Sequence, residues 1–357
     1  MLCLISLENR VPADHPLRLI KKTLDEVLRR MSPLFDVMYA ELGAPSIPPE
    51  RLLKAKVLSA LYSVRSDRLF CQMLRYNMLF LWFLDMDMTD EVWDASTFSK
   101  NQERLLRHAV AKDFFAEIVD FARERGLASQ DHFTVDGTLI DAWASLKSFA
   151  PKENGAAGQS KGNNDGGNAC VDFHGQKRSN ATHESRTDRE AQLMRKGSGK
   201  EARLSVGAHA LMENRNGLLM ELKVTSSSEV TEGQAAAEIL EEQRRQRFIT
   251  PQSVEADKGY HNKGFVGELR SQGIRPHVAQ IKGRKVPGLD GRTTARMGYA
   301  VSQRVRKRVE EIFGWMKTTG GFRKTRYRGI DRTQLFAYWV GSAYNLLRIG
   351  RLQPAPI

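Results

Sequence analysis

Between His132 and Ala142 the chain reads HFTVDGTLIDA, and this run constrains the fold more than any other stretch. Phe133, Val135, Leu139 and Ile140 are strand formers bounded by polar residues, which predicts a β-strand. Asp136 sits in its middle. An ionised carboxylate there is desolvated, and an unpaired buried charge is very costly. Something cationic should meet it. The plain candidate is an Arg or Lys in a salt bridge; the alternative is a site on which other chemistry converges. Asp131 and Asp141 lie at the edges of the run, where a turn or cap role suffices.

A chain of 357 residues has room for two domains, or for one large domain with insertions. No apolar run is long enough to span a bilayer. The start, MLCLISLENRVPADHP, has neither a basic n-region nor a small-residue cleavage site, so no signal peptide is expected and a cytoplasmic protein without a membrane partner is. Cys3, Cys71 and Cys170 form no CxxC and no zinc spacing, which predicts reduced thiols. The charge points further. The net charge is +13, and between Lys282 and Arg328 fourteen Lys or Arg stand against three acids, Asp290, Glu310 and Glu311. A basic cluster of that density attracts polyanions, above all nucleic acid.

The order of elements predicts an α/β fold behind an all-α N-terminal domain. Residues 14 to about 125 carry helical periodicity, as in Leu17, Ile20, Leu24, Val27, Leu28 and Met31. Pro49 can open a helix, and Ser99 with Gln102 has capping-box spacing. We expect a helical N-terminal domain over 1–125 and an α/β domain over 126–350. Residues 147–201 are rich in Gly, Asn, Ser and Lys, and GAAGQSKGNNDGGN cannot bury enough surface to order itself, so this segment predicts a flexible insertion. Strands at Leu204–Met212 and Leu218–Thr225 should form a hairpin. A helix over Glu229–Arg247, a strand Ser253–Ala256, a helix from Asn262 and a strand Ile274–Val278 follow, then a last helix from about Val301 to Lys317. This order predicts a mixed sheet flanked by helices.

Asp257 ends the Ser253–Ala256 strand, where α/β folds place ligands. In the last helix Val305, Val309, Ile312 and Met316 make the buried stripe; Arg306, Glu310 and Lys317 share one flank, at about 100° per residue. Glu311 points the other way, near Arg304 and Arg308, with the spacing of a surface ion pair to Arg308. Glu310 could instead simply pair with Arg306 one turn away. Two Asp and one Glu are hard oxygen ligands, suited to Mg²⁺ or Mn²⁺ rather than zinc. Such a set can hold two ions and drive an in-line phosphoryl displacement, with Arg and Lys on the phosphodiester backbone.

On these residues the chain resembles a known family. VDGTLIDAWAS (135–145), ADKGY (256–260) and RKRVEEIFGWMK (306–317) resemble the DDE transposases of bacterial insertion sequences, in the group centred on insertion sequence five. IPPERLLKAKVLSALYSVRSDR and YNMLFLWFLDMDMTDEVWDASTFSKNQERLL look like that family's helical N-terminal domain. The resemblance implies an RNase H-like fold, with Asp136, Asp257 and Glu310 as catalytic, metal-binding acids for Mg²⁺ or Mn²⁺. It also implies a bacterial, nucleoid-associated protein in which residues 1–125 bind DNA and 126–350 are catalytic, with DNA contacts at Arg306 and Lys317 and with Arg304 and Lys307 beside them. The family's Tyr-Arg-Glu-Lys signature maps onto Arg306, Glu310 and Lys317, but its first position here is Gln303. The implied partners are terminal inverted repeats and target DNA, bound by a homodimer that synapses two ends. Two rivals remain at this stage: an RNase H-like nuclease that cuts without joining, and a catalytically inactive DNA-binding regulator.

Overall fold

The computed structural model describes residues 6–38, 47–107, 109–152, 171–173, 176–197, 199–226 and 230–353. The N-terminal third is helical: α1 (Leu7–Arg10), α2 (Leu17–Met38), α3 (Pro49–Leu61), α4 (Asp67–Leu74), α5 (Met78–Phe83), α6 (Ala95–Arg107) and α7 (Val110–Glu124). Pro49 opens α3, as its fixed φ and missing N–H favour. The Ser66 side chain accepts from Leu69 N at the start of α4, and Asn77 accepts from Leu79 N and Phe80 N at the start of α5. The apolar run 78–84 thus belongs to a short separate helix, not to a continuation of α4. The cap of α6 is Asp94, which accepts from Ser96 N and Thr97 N. Ser99 lies inside that helix, so the Ser99–Gln102 capping box expected from spacing does not form; the Ser99 hydroxyl donates to Asp67 instead.

The sheet explains the rest. Its strands are β1 (His132–Asp141), β6 (Gln192–Met194), β7 (Arg203–Glu213), β8 (Leu219–Thr225), β9 (Ser253–Ala256) and β10 (Arg275–Val278). β1 pairs antiparallel with β7, and β7 antiparallel with β8. On its other side β1 pairs parallel with β9, and β9 parallel with β10. The order β8-β7-β1-β9-β10, an antiparallel meander extended by two parallel strands, is the RNase H arrangement. Helices α8 (Glu232–Arg247) and α9 (Lys263–Ser271) make the parallel crossovers. Short strands β2 (Phe149–Pro151) and β5 (His183–Ser185) pair with each other, as do β3 (Val171–Phe173) and β4 (Gln176–Arg178).

Part of the segment read as an insertion is built onto the sheet. β6 adds to the free start of β7, and a small second core of Ala142, Ala144, Phe149, Ala191, Leu193, Ala202 and Leu204 forms beneath it. The stretch GAAGQSKGNNDGGN lies outside the described residues, as do Cys3 and Cys170; Cys71 is a buried free thiol.

The C-terminal region departs from the single last helix that periodicity suggests. After α10 (Gly291–Thr294) there are two helices, α11 (Met297–Val305) and α12 (Arg308–Lys317). At the joint, Val309 N bonds to Arg306 O and Glu310 N to Lys307 O, three residues back rather than four. This tight turn breaks the α register without a Pro or Gly to announce it. A further helix, α13 (Ile330–Leu352), follows. It packs on β8, α7, α3 and α2, so its residues, the N-terminal helices and the sheet bury one continuous apolar core. Two of its amide side chains close the β8 edge. Gln334 bonds Val224 N and Leu222 O, and Asn345 bonds Leu219 N and O, satisfying groups that would otherwise template another strand. Among the described residues no helix is long and apolar enough to cross a membrane.

Candidate active site

The β1–β9 ladder ends at Thr134 and Glu255. β1 runs on alone on that side, and Asp136 lies just past the last pair. Asp257 follows directly on the end of β9. The strand pairing therefore brings the two predicted Asp to one opening at the carboxyl end of parallel strands, where such folds bind ligands. Asp257 Oδ1 accepts from Gly259 N at 2.7 Å, which pins the tight turn Lys258–Tyr260. Asp136 Oδ1 accepts from Gly137 N at 2.8 Å.

No Lys or Arg lies within ion-pair distance of Asp136 among the described residues, so the plain salt bridge is not formed. Burial, with the negative charges of Asp257 and Glu232 beside it, pushes the Asp136 carboxyl up to about 6, against weaker pulls from the Gly137 N–H and the Arg306 charge. The strand keeps a carboxylate in a place that disfavours its charge. That arrangement marks functional sites more often than structural ones.

Glu232 is a third acid at this opening, and it was not singled out from sequence. It opens α8 directly after the Thr231–Gln234 capping box, where an acid reads as a simple complement to the helix dipole. Its carboxylate tip is nevertheless crowded. A Cβ built on Gly137 would stand 3.1 Å from Glu232 Oε1, and one on Gly259 would stand 3.5 Å from Glu232 Oε2 and 3.0 Å from Asp257 Oδ1. The residue as a whole is solvent-exposed, but its carboxyl is pushed up by desolvation at this crowded tip and by Asp257. Tyr260 is 1 % exposed, its hydroxyl has no hydrogen-bond partner, and it feels the charges of Glu232, Asp136 and Asp257. His209 sits across from Gly137 on β7, bonded through Nε2 to Thr225 Oγ1 at 2.9 Å. Burial holds it down to about 4, so it is neutral at pH 7.

The third predicted acid, Glu310, comes from α12. That helix is tied at one end by Arg308 Nη1 to the carbonyls of Asn214 and Arg215, and at the other by Lys317 Nζ to Thr138 Oγ1 at 2.6 Å. The surface pair between Arg308 and Glu311 expected from spacing is replaced by these carbonyl contacts. Thr138 shares a strand face with Asp136, and Glu310 shares a helical flank with Lys317, about 10 Å along the axis. Glu310 is exposed and is not among the leading charges on Asp136. It does not pair with Arg306 among the described residues. Arg306 Nε donates instead to Gln303 Oε1, while Gln303 Nε2 donates to His277 O at 2.6 Å, so Gln303 ties Arg306 to β10. Arg304 and Lys307 are exposed beside the helix break. Burial, then Lys196 and Arg323, hold the Lys317 amine below its usual range, a sign of crowded positive charge seeking anions.

Among the described residues no three His, Cys, Asp or Glu side chains stand close enough to hold one ion as placed. The donor chemistry fits a hard divalent cation all the same. The acids are oxygen donors without His or Cys partners, the glycines leave room at their tips, and the Tyr260 hydroxyl is an unused buried donor.

Comparison with known families agrees with the site. Residues 5–104 match a Transposase domain (DUF772), and residues 130–346 match the Transposase DDE domain. No curated protein matches the chain in sequence. Two solved structures are remotely similar. One is a cryo-EM structure of a piggyBac transposase synaptic complex with hairpin DNA, at 9 % identity and TM-score 0.40, covering 96 % of this chain and 77 % of that one. The other is a crystal structure of a pre-cleavage Mos1 transpososome, at 13 % identity and TM-score 0.19, covering 87 % of this chain and 79 % of that one. Both similarities are too remote to carry weight. The family match spans more than half the chain, and it agrees with the strand order and with the two Asp at the sheet opening: the chain belongs to the DDE transposases, enzymes that use divalent metal to cut and join DNA strands.

Proposed function

We propose that Asp136, Asp257 and Glu310 are the catalytic acids of this transposase, holding Mg²⁺ or Mn²⁺, two ions in all. The observation that carries this reading is the convergence of Asp136 and Asp257 at the end of β9, with a desolvated carboxyl and no base paired to it. When bound, the ions would activate the attacking oxygen and stabilise the leaving oxygen of the phosphodiester. The protein's own groups do the remaining work. Arg306, held by Gln303, and Lys317, held at Thr138, grip phosphates on either side of the acids. Arg304 and Lys307 extend that grip along the backbone. In this reading Glu310 completes the set from α12, a helix held at one end by Arg308 and at the other by Lys317. His209 and the apolar floor of the sheet close off the space beneath the acids. We assign residues 1–125 to recognition of the terminal inverted repeats and 126–350 to catalysis, with a homodimer synapsing two ends.

The test is cleavage of a duplex carrying the element's own end, in Mg²⁺, by wild type and Asp136→Asn. Cutting and joining lost in the variant, with binding retained, is expected. Equal cutting by both proteins would remove Asp136 from the chemistry.

A further inference from the structure

We propose that Glu232 is a fourth acidic ligand of the divalent-metal site, reaching Asp136 and Asp257 from the opposite face of the sheet. The inference rests on the reading of Asp136 and Asp257 as metal ligands and adds a residue outside the three-acid set.

The strand register shows how two faces meet. Asp136 pairs across β7 with Ala210, and Gly137 with His209, so Asp136 and Gly137 project to opposite faces. Lys317 and its helix approach Thr138 on the Asp136 face. Glu232 approaches on the Gly137 face, since its Oε1 lies 3.1 Å from where a Gly137 Cβ would be. In the body of a sheet a backbone wall would separate these two approaches. Here β9 has ended, and the gap beside β1 lets a carboxylate from α8 come up to the Asp pair. The turn glycine at 259 opens the other side: a Cβ there would stand 3.5 Å from Glu232 Oε2 and 3.0 Å from Asp257 Oδ1. Each of these Asp is thus followed, one or two residues on, by a glycine that the Glu232 tip borders, closely at Gly137 and at ordinary contact distance at Gly259.

A structural role does not account for this. A helix-capping acid needs only to sit near the first turn, facing water. Glu232 instead turns its tip toward two other acids, and no base pairs with it among the described residues. The second, independent pointer is Tyr260. Its side chain is buried, its hydroxyl has no partner, and it is close enough to all three carboxylates to feel each of them. A buried hydroxyl with no bond is costly unless a ligand or its water completes it. As placed, no three of these groups hold one ion among the described residues, but three carboxylates and an unused donor border one opening, and a hard cation with its hydration shell would draw them together.

The experiment is Mn²⁺ binding to the full-length protein without DNA, followed by calorimetry and by the rise in melting temperature that Mn²⁺ produces. Wild type, Glu232→Gln, Glu232→Asp and Asp136→Asn are compared. We expect Glu232→Gln to weaken Mn²⁺ binding at least tenfold and to abolish the metal-induced rise, while melting without metal is unchanged or higher. Glu232→Asp keeps the helix-terminal charge but falls a methylene short of the gap, so it too should lose most of the affinity. Wild-type Mn²⁺ binding in both Glu232 variants, with loss in Asp136→Asn, overturns the role of Glu232 and leaves the Asp pair standing. Wild-type binding in Asp136→Asn as well overturns the reading beneath it.

Discussion

Asp85 is an exposed aspartate and Asp136 a partly buried one, and the molecule treats them in opposite ways. At Asp85, between the N-terminal helices, two lysines close in. Lys21 Nζ lies 2.5 Å away and Lys54, itself 5 % exposed, makes a second ion pair while also bonding Asp25. Burial alone would raise the Asp85 carboxyl; the hydrogen bonds from Lys21 and Lys54 more than reverse it, and the net shift is downward. Lys56, fully enclosed nearby, is paired with Asp67 at 2.8 Å, although burial outweighs the pairing and holds its amine below the usual range. At Asp136 burial is the largest influence, the nearest charges are acids, and the shift is upward. At these two places the fold has surrounded one acid with bases and left the other without one. The difference shows where the protein spends stability on chemistry.

The largest effect that separates the two regions is on catalysis. Asp136→Asn should lower strand cleavage about a thousandfold or more, since removing a metal-binding acid forfeits several kcal/mol of transition-state stabilisation. Neutralising Asp85 should leave turnover of the folded protein unchanged. Single-turnover cleavage assays on both variants read this directly.

Next comes stability in the helical layer. Lys56→Met should cost about 3 kcal/mol in urea unfolding, the low end for breaking a buried pair, because Ser99 still reaches Asp67. It also removes an ammonium held over the Phe98 and Trp339 rings. A loss below 1 kcal/mol would mean that the paired acids of this layer contribute little and that the contrast with Asp136 is weaker than it looks.

The third effect has the opposite sign. The folded-state value of Asp136, about 6, lies above its unfolded value of about 3.9, so the native state holds a proton that the unfolded chain has lost. Its contribution to stability is complete below about pH 4, declines as pH rises to about 6, and is flat beyond. In EDTA, Asp136→Asn should match wild type at low pH and exceed it by about 3 kcal/mol at pH 7 to 8. Asp85 shows the mirror image: its contribution is present above about pH 4 and lost as pH falls through its lowered folded value. Parallel stability curves for wild type and Asp136→Asn across that range would refute the assignment of strain to this carboxylate.

The smallest effect is on DNA affinity. Arg306→Ala should weaken binding evenly across sequences and reduce the slope of log K against log salt by about 1. Gln303→Ala should do part of the same by freeing the guanidinium.

The focal strand, the hairpin, the order of strands and helices as far as β10, Asp136 within one strand and Asp257 at the end of another were legible from local pattern, whereas α13 was not expected. They depend on alternation, turn residues and chain order, which neighbouring residues dictate. The break between α11 and α12 was not legible, because Val305–Arg308 carries no Pro or Gly and the change to i,i−3 bonding is set by what the two helices dock on. Ser99–Gln102 had the right spacing for a cap, but Asp94 stood earlier in the chain and bonded the first free N–H groups. Within 147–201, low hydrophobicity hid β5 and β6, whose order comes from pairing and from a few small residues packed under β6.

The chemical identity of this protein, hard oxygen donors on strands beside a dense run of bases, was already in its amino-acid order. Periodicity and residue type are local properties, and they survive without a structure. Which acids meet was decided elsewhere. Glu232 lies 96 residues from Asp136 by its number and resembles any first-turn glutamate. It becomes a member of the site only because β9 stops short of Asp136 and two glycines leave the gap open. Convergence of that kind depends on where one strand ends relative to its neighbour, and register between distant strands is a property of the whole packed sheet.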